Sequence, residues 1–460
     1  MGPTDSMTQT EKTRRDREQL QAAVGAAVSA YTDRNPRSRE MFARAQQSLP
    51  GGNTRTGTHM DPFPFYADRG EGVLLFDLDG HPLLDFVNNN TALILGHAHP
   101  AVVQALQQQL PKGTGFPRPQ VLEVEMAELL RERIPSLERL RFCSSGTEAV
   151  LNALRTARAF TGRHKTAKFE GAYHGLGYGA LTATHREHFR NPFKKQLGKF
   201  GHFAPFPITS KELAETETQL KVLFKKHPIG AVLVEPIQGE SGVNCASPDY
   251  LLGLRELCDE RNLLLLLDEV QCGHFRTGNF FGWQTIMAAH TEFAPDACSM
   301  GKSIAAGLPM GAIWASAPLQ DLLGPGTHGT TFGGTPLVSA GALKAIEIIE
   351  RNNLAQNATN IGNYLAEQIG QLIAAHPNVL REVRGLGLMI GVELVEGIAA
   401  FAESKRPASV QIVERLHAAG LLTIPAGARV FRLLPPLNIS KTDADEGLTL
   451  IESVIKELAQ

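Results

Sequence analysis

Residues 298–312 read CSMGKSIAAGLPMGA, a single lysine, Lys302, among small and apolar residues with glycines at 301, 307 and 311. A lysine in such surroundings is stripped of water, which disfavours its charged form and leaves a nucleophilic amine. The plainer alternative is a surface lysine whose stem lies over apolar neighbours. Upstream, LLLLLDEVQCG puts Asp268 at the carboxyl end of five successive leucines. A carboxylate leaving such a run needs a cation or hydrogen-bond donors. Arg276 offers an ion pair; the chemical alternative is a protonated heterocyclic nitrogen, with Gln271 reaching a second polar atom of the same ring. SSGTEA (144–149) follows the apolar run LRFC and opens a helical segment. Ser145, Gly146 and Thr147 there bring hydroxyls and N–H groups to a helix N-terminus, where anions bind. An ordinary helix cap with a first-turn glutamate would use the same residues.

Taken in this order, an anion site, an aspartate at a strand end and an isolated lysine point to pyridoxal phosphate. Its phosphate needs a helix N-terminus, its ring nitrogen an aspartate and its aldehyde a lysine.

The elements that must position these groups follow from the hydrophobic pattern. LRFCSS, KTAKFE, GAVLVEP and LLLLLDE are short apolar runs that read as buried strands, and GTEAVLNALRTARAFTG and DYLLGLRELCDERN have helical spacing. Apolar strands interleaved with amphipathic helices predict a mostly parallel sheet covered by helices, an α/β fold with ligands at the carboxyl ends of the strands. The pattern changes after about residue 350, where LREVRGLGLMIGVELV and ARVFRLLPPLNIS suggest a smaller α+β domain joined by strand candidates from the N-terminal part. The expected division is a polar extension over 1–40 with a short helix around REQLQAAVGAAVSAY, then the N-terminal part of the small domain over 41–95. A large cofactor-binding domain over 96–350 and the C-terminal part of the small domain over 351–460 complete it.

Composition narrows the classes of function. The 460 residues carry 45 Lys+Arg against 47 Asp+Glu, a balance that gives no electrostatic case for nucleic acid or an anionic membrane as partner. No apolar run is long enough to span a bilayer. Five widely spaced cysteines without a C-x-x-C pair argue against a disulfide framework or a zinc site and fit a reducing cytoplasm, so no metal is expected.

The chain resembles the class-III, fold-type I pyridoxal-phosphate aminotransferases over roughly residues 45–458. The resemblance is carried by GHAHP (96–100), SSGTEA, GAYHG (171–175), VEPIQGESGV (234–243), LDEVQCGHFRTG (267–278), GKSIAAGLPMGA (301–312), HGTTFGGTPL (328–337) and PAGARVFRLLPPLNIS (425–440). It implies that Lys302 holds the cofactor aldehyde as a Schiff base and shuttles protons. Asp268 keeps the ring nitrogen protonated, Gln271 contacts the ring's phenolic oxygen, and Tyr173 stacks on the ring. Ser145, Gly146 and Thr147 cradle the phosphate. Thr331 matches a threonine that reaches the phosphate of the neighbouring subunit, which implies a homodimer with shared active sites. His174 and Glu235 lie in the same motifs, as supports or as direct contacts.

For the substrates, a small-molecule amino donor and a keto-acid acceptor, two signals diverge. Glu240 and Arg432 match a gated pair of the acetylornithine, ornithine and 4-aminobutyrate branch. There the arginine takes the α-carboxylate of 2-oxoglutarate, and the glutamate neutralises it when the amine is bound. A fixed salt bridge is the plainer alternative. In ornithine-like enzymes an arginine follows the HG of the stacking motif, where this chain has Leu176. LPGGNTRTG (49–57) instead resembles the glutamate-1-semialdehyde aminomutase and β-amino-acid aminotransferase branch and makes Arg55 a candidate carboxylate contact. The expected function is amino transfer from an ω- or β-amino acid to a keto acid such as 2-oxoglutarate. An aminomutase or an amino-acid racemase on the same scaffold is the alternative. A regulatory module without turnover fits poorly, because the N-terminal extension is too short for a DNA-binding domain and linker.

Overall fold

The leucines before Asp268 are buried to the last side chain, and the sheet is built around them. A computed structural model describes residues 25–26, 28–55, 60–134, 136 and 138–459, and the helix expected around 17–31 falls largely outside them. Seven strands form the main sheet: β1 (Arg139–Cys143), β2 (Lys165–Phe169), β3 (Gly201–Ala204), β4 (Ile229–Val234), β5 (Leu264–Asp268), β6 (Ala297–Met300) and β7 (Gly311–Ala315). Their order is β1-β7-β6-β5-β4-β2-β3. β5 runs parallel to β4 and β6, and β2 parallel to β3 and β4, whereas β7 is antiparallel to both its neighbours.

Every residue of β4, β5, β6 and β7 is buried, because helices cover both faces. Along β5, Leu265 and Leu267 join one core with Leu220 of helix α2 (Ser210–Lys226), Leu254 of α3 (Pro248–Arg261) and Ile346 of α4 (Pro336–Arg351). Leu264 and Leu266 face the other way, toward Val150 and Leu154 of α1 (Gly146–Thr161). At about 1.5–3 kcal/mol per fully buried leucine, this double anchoring fixes the height at which Asp268 emerges.

A second sheet follows, with β8 (Leu380–Leu386), β9 (Met389–Leu394), β10 (Ile424–Ala426) and β11 (Val430–Leu433) in the antiparallel order β8-β9-β11-β10. Arg432 lies in β11 between Gly391 of β9 and Ile424 of β10. Leu84 and Asp85 pair in parallel with Leu421 and Leu422.

The chain divides into two compact units, one of residues 1–70 and 74–83, the other of 71–73 and 84–460. In the first, helix Pro36–Ala45 is held at its N-terminus by Asp79, whose carboxylate accepts from Arg37 N (2.8 Å), Ser38 N (3.0 Å) and Ser38 Oγ (2.8 Å). The main sheet, the second sheet and every candidate site residue except Arg55 belong to the second unit.

Candidate active site

Lys302 follows β6 on a short 3₁₀ turn (Lys302–Ala305), and its own backbone is left-handed at φ 46°. That conformation costs a side-chain-bearing residue free energy and persists only where packing imposes it. The packing is close, and at Gly301 and Gly311 it is backbone on backbone. A Cβ at Gly301 would lie 2.9 Å from Gly146 Cα, and one at Gly146 would lie 2.6 Å from Val270 Cγ1. A Cβ at Gly311 would lie 2.3 Å from Ser145 O, and one at Gly307 would lie 2.5 Å from Leu93 Cδ2. The glycines around the lysine thus bring its turn against the first turn of α1 and the exit of β5. Gly301→Ala is expected to lower stability by about 1–3 kcal/mol, since its neighbour is backbone that cannot rotate away. Thermal unfolding and cofactor content measure this, and wild-type values for both would contradict the packing argument.

The Lys302 amine makes no hydrogen bond or salt bridge among the described residues. Burial pushes its pKa below the ordinary lysine value, against the opposing pull of Glu240, with Arg432 adding to the lowering and Asp268 and Glu235 resisting it. Half-buried and set among Glu240, Arg432, Asp268 and Glu235, Lys302 does not fit the surface-lysine alternative.

Asp268 is 5% exposed and held on three sides. Its Oδ2 lies 2.7 Å from His174 Nδ1, and its Oδ1 accepts from Ser299 Oγ (3.0 Å) and Val270 N (3.1 Å). A carboxylate has about four lone-pair sites, so these leave room for one further N–H donor. The Arg276 ion pair does not form; that buried guanidinium donates to Leu388 O at 3.2 Å and to Pro435 O.

Around this pair the structure gathers most of the sequence candidates. Ser145 caps α1 by accepting from Glu148 N at 3.2 Å, leaving the N–H groups of Gly146 and Thr147 in the helix's unpaired first turn. A Cβ on Gly175 would lie 2.2 Å from Thr147 Oγ1, so the turn after Tyr173 closes on the same helix end. Tyr173 is half-buried, and burial raises its phenol to about 12, keeping it neutral. Glu235 accepts from Tyr173 N (2.6 Å) and Gly239 N (3.2 Å), and burial raises its carboxyl to about 7.

Arg432 is fully buried, yet its charge is met: Nη1 lies 3.0 Å from Glu240 Oε1 and 3.3 Å from Gln271 Oε1, and Nη2 donates to Pro425 O at 3.2 Å. Burial pushes the Glu240 carboxyl up, but Arg432 and Lys302 together outweigh it and hold it below its ordinary value. The amide nitrogen of Gln271 is buried without a partner, a donor free for an acceptor on a bound molecule.

These groups fit pyridoxal phosphate: an anion-ready helix end, a carboxylate with one open acceptor position, an orphan amide donor and a desolvated amine. Thr331 is exposed on a turn before α4, and Arg55 is exposed in the first unit, where its backbone N–H donates to Asn53 Oδ1 at 2.7 Å. The contacts that sequence reasoning missed are Ser299 and the Val270 N–H on Asp268. Ser299 comes beside Asp268 through the parallel pairing of β5 and β6, which no local sequence signal announced, and the Val270 N–H is a local contact two residues on. His174, singled out by motif alone, proves to be the partner of Asp268.

The aminotransferase class-III family model matches residues 56–455. The chain belongs to the class-III aminotransferases. It is 33% identical to the 4-aminobutyrate aminotransferase of Escherichia coli over 92% of this chain and 99% of that protein. It is 35% identical to the acetylornithine aminotransferase of Nitrosomonas europaea over 84% of this chain and 94% of that one. The ornithine aminotransferase of Toxoplasma gondii, a solved structure described with pyridoxal phosphate at the active site, superposes with a TM-score of 0.79 at 28% identity, covering 94% of this chain and 97% of that one. This class-III aminotransferase is therefore a pyridoxal-phosphate-dependent enzyme of the fold-type I class, and its reaction is amino transfer. The aminomutase and racemase alternatives gain no support from these relatives. Among the described residues of this aminotransferase, no helix is long and apolar enough to cross a membrane.

Proposed function

We propose that this aminotransferase moves the amino group of an ω- or β-amino acid to a keto acid such as 2-oxoglutarate, with Lys302 as the cofactor lysine. Pyridoxal phosphate, when bound, supplies an aldehyde for amines and a ring that accepts the electron pair left at the substrate carbon. Ser145, Gly146 and Thr147 would hold its phosphate, and Asp268 would hold a proton at its ring nitrogen while His174 and Ser299 fix the carboxylate. Gln271 would donate through Nε2 to the ring oxygen, and Tyr173 would cover the ring. Lys302 Nζ would take up the proton that leaves the substrate carbon and return it, a task suited to an amine whose pKa burial has lowered.

The observation that carries the choice of acceptor is the Glu240–Arg432 pair at 3.0 Å, with Arg432 buried and Glu240 partly accessible. Glu240 can leave toward solvent, and Arg432 then presents its fork to a carboxylate. Arg55 is proposed as a contact for the donor's carboxylate. The same reading includes a homodimer in which Thr331 of one protomer reaches the phosphate held by its partner. Supporting it, Thr331 is exposed beside Phe332, itself 68% exposed. The large and small domains at the boundaries given above, and a cytoplasmic location, belong to this proposal as well. The former is supported by one sheet within 139–315 and another within 380–433, the latter by five free cysteines.

A panel of ω-, β- and α-amino acids with 2-oxoglutarate, assayed for glutamate, tests the function. Glutamate from ω- or β-amino donors is expected, and none from any donor would overturn it. Glu240→Ala tests the pair. It should leave 2-oxoglutarate use intact or improved and lower kcat/KM for the amino donor roughly 10-fold, the scale of one lost charge-assisted hydrogen bond. Equal losses for both substrates would make the pair a fixed bridge.

A further inference from the structure

A five-carbon keto diacid has two carboxylates, and Arg432 accounts for one. The position that supplies an arginine for a second carboxylate in ornithine-like enzymes holds Leu176, 45% exposed. A different cation lies beside the site. Arg186 Nη1 donates to Glu240 O at 2.9 Å and reaches Ser241 Oγ at 3.5 Å. Its guanidinium pairs with no carboxylate among the described residues, so most of its five N–H donors are uncommitted. Arg186 lines a cavity of about 500 Å³ with Gly171, Glu187, His188, Asn191 and Ser241.

The cavity borders the segment that carries the gate: Ser241, in its lining, directly follows Glu240, whose side chain meets Arg432. Beyond His188, the Phe189 ring packs 5.7 Å from Tyr173. The charge of Arg186 helps hold the Glu240 carboxyl down, which places the guanidinium within electrostatic reach of the group that gates Arg432. Burial lowers the pKa of His188, so it serves as a neutral hydrogen-bonding group beside Asn191. Glu187 opposes an anion in the same cavity, but it is exposed and solvent screens it.

We propose that Arg186 is the specificity-determining contact for the second carboxylate of the dicarboxylic keto acid, the role left open by Leu176. The inference rests on the 2-oxoglutarate reading given above. With Arg432 on the α-carboxylate and Arg186 on the distal one, the two cations flank Glu240 and clamp the acceptor at both ends, which favours diacids over monoacids.

The test uses the cofactor-loaded enzyme converted to its amine form, with 2-oxoglutarate and pyruvate as acceptors for wild type, Arg186→Met and Arg186→Lys. Arg186→Met should lose roughly 10- to 100-fold in kcat/KM for 2-oxoglutarate, carried by KM, as expected for a missing charge-assisted hydrogen bond. Pyruvate should change no more than about twofold, since it makes no distal contact. Arg186→Lys should recover part of the loss. An equal fall with both acceptors would reduce Arg186 to a support for the Glu240 backbone and overturn the proposal, as would an undiminished response to 2-oxoglutarate. A wild type that aminates pyruvate but not 2-oxoglutarate, or neither, would overturn the acceptor reading and this inference with it.

Discussion

Lys302→Ala should abolish turnover while the protein still folds and retains some pyridoxal phosphate without a covalent bond. Removing the amine relieves a desolvated charge and leaves a small void, so the fold loses little; the left-handed backbone at this position is imposed by its surroundings. The chemistry, on the proposed role, would lose both the attachment point and the proton carrier. A positioned general acid–base group alone contributes about 10²–10⁴-fold in rate. Borohydride reduction followed by peptide mass analysis should fix the cofactor to the Lys302 peptide in wild type and to no peptide in the variant. Wild-type activity in Lys302→Ala would remove this residue from the mechanism.

Asp268→Ala should lower kcat by roughly 10²–10³-fold or more, the range seen when one preorganised electrostatic contact is removed from a reacting centre. Three hydrogen bonds aim the carboxylate proposed to hold a proton at the ring nitrogen. The truncation also strips His174 of its partner in a buried site, so a fall in stability is expected alongside. Asp268→Asn separates the two effects: it keeps the volume and much of the bonding but removes the negative charge. An Asn variant as stable as wild type and as slow as the Ala variant would assign the loss to charge. Unchanged rates at saturating cofactor in both would refute the role.

Much of the site could be read from the sequence because its main parts sit at chain positions with strong local signals. An apolar run announces a buried strand, and whatever polar residue ends it stands at the sheet's carboxyl edge; Asp268 and the Ser145–Thr147 turn were visible for that reason. Lys302 was visible through its misfit with its neighbours. Contacts between distant segments were not. Nothing in the HG of GAYHG says that His174 meets Asp268, and nothing local to Arg276 says that its guanidinium caps carbonyls at 388 and 435. Arg186 carried no motif, and it gains meaning only where the chain folds it beneath Glu240. The glycines of GKSIAAGLPMGA are an intermediate case. Their clustering signalled close approach, but the surfaces they approach, Gly146, Ser145 and Leu93, come from remote stretches of the chain.

The parallel pairing of Asp268 with Ser299 sets a limit on how this enzyme can vary. Side chains on a strand alternate between faces, so gaining or losing a single residue within β5 or β6 would turn the carboxylate, or the segment leading to Lys302, to the wrong side. Length is therefore constrained inside these two strands, whatever side chains fill them. The connection between them is freer of that constraint over 288–292, which are exposed or half-buried between the core residues Met287 and Phe293. Insertions and deletions accumulated by lineages of this fold should collect in such stretches, leaving the spacing of acid and amine untouched while the rest of the surface drifts.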